Sequence, residues 1–175
     1  MKALVVVDMQ VDFVTGALGF PEAETIVPRI AQKIHDYRQQ GWEILFTMDT
    51  HSETYLDTQE GKRLPVPHCL RDTPGWQLCG EIAACRQPQD RCFCKPEFGS
   101  GELFDYLRGQ DPYEEIELVG LVTNLCVLSQ AVLVKTAQPE ATLVVDAGCV
   151  RSYDPALHEK TLDVMAGMQI QIRNR

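Results

Sequence analysis

No apolar run in this 175-residue chain reaches the roughly 20 residues that a bilayer span needs, so the sequence offers no transmembrane helix. Basic residues are scarce relative to acidic ones: 16 Lys and Arg against 25 Asp and Glu, a net charge of −9. A surface of that sign repels phosphate backbones and anionic headgroups, which argues against nucleic acid or a membrane surface as partner. No internal repeat, low-complexity tract or linker is visible. No domain boundary can therefore be placed, and the length suits one domain, 1–175, with a core large enough to fold alone. The seven cysteines have neither the even count nor the regular spacing of a disulfide framework. The chain enters a strand-like run at its first residues, without the pattern of a signal peptide. A cytoplasmic protein with reduced thiols is expected.

What is present is an alternation of strand-like and helix-like segments. Strands are expected near 3–7, 43–48, 91–94, 115–120, 142–146 and 168–172. A helix over 25–40 carries Val27, Ile30, Ala31 and Ile34 on one face, and Gly41 suits its C-terminal cap. Further helices are expected over 101–109, over the apolar segment Leu125 to Val134, and over 155–166, where Asp154 would cap and Pro155 take the first position. This alternation predicts an α/β fold: a doubly wound, six-stranded parallel sheet flanked by helices, with right-handed crossovers. The stretch from 50 to 90 shows little period. Irregular segments of that length usually serve function, and this one is expected to cover the strand-end cleft.

Cys126 lies between a buried strand, Ile116 to Val122, and a buried helix. Thr123 is a natural N-cap, which would put Cys126 in the first helical turn. Free N–H groups and the helix dipole there favour an anion and would ease loss of the thiol proton. A thiolate at a strand-to-helix turn is how a nucleophilic hydrolase presents its attacking atom. A buried, inert cysteine fits the same local pattern.

Other reactive side chains fall at equivalent places. Asp8 follows the first strand, Asp49 and His51 the second, and Lys95 the third. If these strands are parallel neighbours, all their carboxyl ends open at one sheet edge, where open α/β sheets bind ligands. Charged residues also simply stop strands, so each position taken singly stays open. In bottom-up terms, Cys126 needs a base and a cation, and Asp8 and Lys95 can supply them. Asp49, His51 and His68 offer a carboxylate and two imidazoles, a donor set suited to one divalent ion such as Zn, Mn or Fe.

The motifs Val7-Asp8-Met9-Gln10-x-Asp12-Phe13, Thr47-x-Asp49-x-His51, Pro65-x-Pro67-His68-Cys69, Thr73-Pro74-Gly75, Lys95-x-x-Phe98 and Gly120-x-x-Thr123-Asn124-x-Cys126-Val127 run essentially end to end. In this order and spacing the chain resembles the isochorismatase-like cysteine hydrolases, and within them the nicotinamidases. The resemblance implies that Asp8, Lys95 and Cys126 form a catalytic triad. It implies an oxyanion hole from the N–H groups of Val122 and Cys126, with a cis peptide at Leu121–Val122. It makes Glu60 a further carboxylate ligand to the metal, with Asp57 and Glu53 as rivals, and Phe13 a ring of the substrate pocket. The metal would bind a substrate's pyridine nitrogen, while Cys126 supplies the nucleophile.

One departure bears on substrate. Pro65 stands where many nicotinamidases carry a tryptophan, and Phe98 or Tyr55 is expected to supply the missing ring face. The implied activity is an amidohydrolase forming a thioester, nicotinamide going to nicotinate and ammonia, with a small-molecule amide as partner and homo-oligomerisation left open. N-carbamoyl or ureido substrates of related enzymes are the alternative. Isochorismate cleavage is disfavoured, because relatives with that activity often lack the cysteine. From another class, a non-catalytic thiol or metal-binding protein fits the same scaffold.

Lesser candidates carry bland readings. Cys92-x-Cys94, with Cys85 or Cys79, is spaced too tightly for a usual zinc site, and small buried thiols are the simpler account. His35 and His158 are expected on exposed helix surface. Gly99-Ser100-Gly101 is a turn before a helix and lacks the full pattern of a phosphate loop.

Overall fold

The computed structural model describes residues 1–175. Six parallel strands form one sheet: β1 (Lys2–Val7), β2 (Glu43–Asp49), β3 (Arg91–Lys95), β4 (Glu115–Leu121), β5 (Thr142–Arg151) and β6 (Gln171–Arg173), in spatial order β3-β2-β1-β4-β5-β6. The helices are α1 (Val11–Val14), α2 (Pro21–Glu24), α3 (Val27–Gln39), α4 (Gln59–Arg63), α5 (Gly80–Cys85), α6 (Gly101–Arg108), α7 (Leu128–Ala137) and α8 (Pro155–Gly167). No helix is long and apolar enough to cross a membrane.

Both faces of the sheet are covered, so its inner strands are buried almost continuously rather than on alternate residues. Along β1, Ala3, Val5 and Val7 join a core with residues of α6, α7 and α8, while Leu4 and Val6 join one with α1, α3 and α5. Ile30, Ala31 and Ile34 are the buried stripe of α3, as the helical period requires. Gly120 lies beside β1 at φ 121, and a Cβ there would sit 2.1 Å from the Val7 carbonyl oxygen. Only glycine lets β4 approach β1 so closely next to the site.

Three expected boundaries shift, each for a tertiary reason. The last strand begins at Gln171, because the N–H groups of Met168, Gln169 and Ile170 turn back to close α8 and are unavailable to a ladder. β5 continues past Asp146: its register with β4 jumps from Leu118↔Val145 to Gly120↔Val150, so an excursion through Asp146 and Gly148 reads locally as the strand's end. The segment after β4 opens as a π turn, Thr123–Val127, before α7. The stretch from 50 to 90 holds α4, α5 and two short 3₁₀ turns, Tyr55–Asp57 and Pro74–Trp76.

Ile34 is fully buried between α3 and the sheet. Ile34→Ala is expected to destabilise the protein by about 2–5 kcal/mol through lost burial and the cavity left behind. Urea unfolding should show a lower midpoint with unchanged slope.

Candidate active site

The strand order reverses between β1 and β4, the point where an open α/β sheet forms its ligand crevice. Asp8 follows β1 there, and Cys126 follows β4. Asp8 has φ 48, a left-handed conformation that aspartate tolerates better than most residues. Its N–H donates to the Thr47 carbonyl at 3.2 Å, and its Oδ1 accepts from Thr47 Oγ1 at 2.7 Å. Lys95 ends β3, paired with Asp49 at the end of β2. Its Nζ lies 2.6 Å from Asp8 Oδ2 and 3.6 Å from Cys126 Sγ, and donates to the Glu97 carbonyl at 3.0 Å. Asp8 Oδ2 accepts no well-aligned hydrogen bond, so a buried oxygen beside the thiol keeps acceptor capacity.

The charges follow from burial and pairing. Burial raises the Asp8 carboxyl above its ordinary value, with Lys95 opposing. For Lys95, burial works against the ammonium, but Asp8, Cys126 and Asp49 outweigh it and hold the proton on. Burial, then Asp8, pushes the Cys126 thiol well above its ordinary value, and Lys95 only partly offsets this. The expectation that a helix start would ease its ionisation is therefore overturned for the free protein. Desolvation and a neighbouring carboxylate outweigh the dipole of one turn.

Thr123 also departs from expectation. The N-cap is Val122, which makes no side-chain cap, and Thr123 Oγ1 lies 2.9 Å from His158 Nδ1. His158 is correspondingly buried, because α8 turns this residue toward the turn that carries Cys126; His35 is exposed. The Leu121–Val122 peptide is cis. The Val122 carbonyl accepts from the N–H groups of Leu125 and Val127, while the Val122 N–H, between β4 and the turn, donates to no backbone carbonyl. A free donor thus lies at the start of the turn that carries the thiol.

Asp49, His51 and His68 form the single group whose potential ligand atoms converge, all within 4.8 Å of one another. Asp49 Oδ2 lies 3.0 Å from His51 Nε2 and 3.3 Å from His68 Nε2. Burial would raise the Asp49 carboxyl, but the hydrogen bonds from both imidazoles outweigh it and hold it well below the usual range. His68 Nδ1 is 2.8 Å from the Val66 carbonyl, which fixes that nitrogen as donor and leaves Nε2 as the ligand atom. One carboxylate and two imidazoles, all buried, fit a divalent cation of borderline softness. Glu60 stands at the rim of this group, its Oε1 3.8 Å from His68 Nε2. Of its rivals, Glu53 lines the cavity and Asp57 does not.

Neighbouring residues hold this group in place. The buried Gln10 amide donates to the carbonyls of Asp49 and Trp76 and accepts from the Asp49 N–H, each at 2.8 Å. Asp12 Oδ2 accepts from the Cys69 N–H at 2.7 Å, next to His68. A Cβ on Gly75 would lie 2.2 Å from the Asp12 carboxylate, which explains that glycine. Gln10 and Asp12 sit in the first motif, yet nothing local assigned them these partners, which come from loops some 40 to 65 residues away.

These groups open into a cavity of about 1610 Å³ lined by Phe13, Phe98, Val122, Leu125 and Cys126 together with the Asp49, His51, His68 and Glu60 side chains. Residues 50–76 supply much of its wall. Phe13 meets His68 edge-on at 5.6 Å, and Phe98 lies half-exposed at the mouth. Tyr55 also lines the cavity, its ring packed against His51 and His68 and its hydroxyl donating to the Leu64 carbonyl at 2.9 Å. Cys92 and Cys94 are half-buried rather than buried, because β3 is an edge strand, and no convergent ligand group includes them. Ser100 caps α6 through the Leu103 N–H, a turn before a helix as expected.

The chain is similar over nearly its whole length to proteins of known activity. A nicotinamidase of Saccharomyces cerevisiae is 24% identical over 215 aligned positions, covering 98% of this chain and 99% of that one. The crystal structure of a pyrazinamidase of Pyrococcus horikoshii in complex with zinc superposes with a TM-score of 0.83 at 28% identity, covering 98% and 97% of the two chains. A nicotinamidase of Bacillus subtilis superposes with a TM-score of 0.86 at 26% identity, covering 99% of each. The family model for the isochorismatase domain matches residues 2–174, and the chain belongs to the isochorismatase family.

Proposed function

We propose that this protein is a cysteine-nucleophile amidohydrolase, one domain over 1–175, that converts nicotinamide to nicotinate and ammonia. The single observation that carries the reading is the buried Lys95 ammonium, held between the Asp8 carboxylate at 2.6 Å and the Cys126 thiol at 3.6 Å. That geometry supports an Asp8–Lys95–Cys126 triad, and the similarity to nicotinamidases of yeast and Bacillus supports the substrate.

In this reading Asp8 accepts the Cys126 thiol proton, and the sulfur attacks the carboxamide carbon. The oxyanion meets the N–H groups of Val122 and Cys126, donors fixed before the charge develops. The proton passes from Asp8 to the departing nitrogen, and the C–N bond breaks to release ammonia. Water, deprotonated by Asp8, then attacks the thioester carbonyl and returns the thiol. Lys95 keeps its proton throughout and balances the negative charge as it moves between carboxylate and sulfur. Phe13 and Phe98 give the ring an apolar wall. Asp49, His51 and His68, with Glu60 beside them, hold one divalent ion, which when bound supplies a Lewis-acid position for a ring nitrogen.

The thiol's ionisation gives a test with a definite sign. Asp8 raises the Cys126 value and Lys95 lowers it. Asp8→Asn should therefore shift the pH profile of Cys126 alkylation to lower pH, and Lys95→Met to higher pH, while Cys126→Ala abolishes hydrolysis in a folded protein. Shifts in the opposite directions would remove the electrostatic basis of the triad.

Purified protein should carry about one divalent ion per chain, reduced to a small fraction by His51→Ala or His68→Ala, with KM for pyridine amides raised. Elemental analysis and initial-rate kinetics check both. Nicotinamide should be turned over far faster than benzamide, which keeps the amide and lacks the ring nitrogen. Equal rates in an ammonia-release assay would show that the nitrogen is not recognised; turnover of only N-carbamoyl or ureido compounds would move the substrate elsewhere in the family.

A further inference from the structure

The turn that carries the nucleophile is held from outside by residues with no part in the proposed chemistry. Thr123 is fully buried between the two candidate donors, Val122 and Cys126. A threonine at a helix start ordinarily turns its hydroxyl back onto that helix's own N–H groups. Here the hydroxyl instead meets His158 Nδ1, 35 residues on, in the first turn of α8. Asn124 makes a second tie in the same direction: Ser152 Oγ donates to Asn124 Oδ1 at 2.6 Å and accepts from the Asp154 N–H at 3.1 Å.

The anchoring segment is itself stiff. Asp154 Oδ1 accepts from the N–H groups of Ala156 and Leu157, its carbonyl accepts from the His158 N–H at 2.9 Å, and Pro155 fixes the first helical position. The turn, by contrast, has little internal bracing. It is a single π turn, the Val122 carbonyl is shared by two N–H groups, and the Val122 N–H is bound by no backbone carbonyl. The turn's own ladder leaves that donor unheld, and two consecutive side chains are tied instead to one rigid segment.

We propose that His158, acting through Thr123, is a positioning residue that sets the aim of the Val122 and Cys126 N–H groups at the reacting carbonyl oxygen, with Ser152–Asn124 as the second tie. The proposal rests on the amidohydrolase reading above for its catalytic consequence, and on the turn's geometry alone for its structural one. It also gives a role to the buried histidine of α8. Burial draws the His158 imidazole below its ordinary value, in keeping with a neutral ring bonded to the Thr123 hydroxyl.

The test uses Thr123→Val, which keeps shape and loses the hydroxyl; His158→Leu, which loses the ring nitrogens; and Thr123→Ser, which keeps the hydroxyl. Hydrogen exchange read by mass spectrometry over 121–128 should quicken by about tenfold in the first two, with β1 and the start of β4 unchanged. With nicotinamide, kcat should fall by about 10- to 100-fold, less than outright loss of an oxyanion donor, while KM stays within about threefold. Thr123→Ser should recover both to within about threefold of the wild-type protein.

Unchanged exchange and kcat in Thr123→Val would overturn the proposal. So would an equal loss in Thr123→Ser, or a loss confined to KM. If His158→Leu fails to fold, Thr123→Val decides, because it alters no packing volume. If the wild-type protein releases no ammonia from nicotinamide, the substrate reading falls, and exchange over 121–128 still decides whether His158 holds the turn.

Discussion

A buried ammonium is the constraint on which the rest of this structure depends. Lys95 has only 2% of its side chain exposed. A cation removed from water must be matched by acceptors close at hand, or it discharges or drags the fold open. Lys95 is matched by three: the Asp8 carboxylate, the Glu97 carbonyl and, at 4.0 Å, Asp49 Oδ1. Meeting those distances fixes the ends of β1, β2 and β3 relative to one another. A fourth neighbour, the Cys126 thiol, brings in the turn after β4. One side chain thereby couples four strand ends.

The same ammonium links the two halves of the site. On one side lie Asp8 and Cys126, an oxygen acid and a thiol that burial raises alike. On the other lies Asp49, whose two imidazole partners keep it ionised. Fixed positive charge between the two carboxylates limits their mutual repulsion and lets both remain buried. The two carboxyls differ accordingly: burial raises the one beside the thiol, and the other is held as an anion suited to a cation.

Around this centre the backbone is pinned rather than packed by chance. Gln10 satisfies both polar groups of Asp49 and one of Trp76, and Asp12 holds the residue after His68. The stretch from 50 to 76, which lacks a regular pattern, becomes a wall because these side chains tie it to the sheet's edge. His158 and Ser152 do the same for the turn that carries the thiol.

Much of the fold was legible in the sequence because it follows from local periodicity. Apolar runs bounded by turn residues gave the strands, the stripe through Ile30 and Ile34 gave α3, and the alternation gave a parallel doubly wound sheet. Asp8, Asp49, His51, Lys95 and Cys126 were legible because each ends or follows a segment whose type the sequence declares, whereas His68, in the stretch without period, was legible only as a member of its motif. What needed the tertiary structure were properties set by distant neighbours. The Cys126 thiol is raised rather than lowered because burial and Asp8 outweigh one turn of helix dipole. Thr123 turns away from its own helix because His158 offers a buried partner. Tyr55 packs its ring against the two imidazoles, and β5 resumes after an excursion that looks locally like an end. The sequence by itself determined which segments form and which side chains stand at their ends, because both rest on nearest-neighbour chemistry. Only the tertiary structure decided proton placement and side-chain partners, because those depend on desolvation and on atoms far away in the chain.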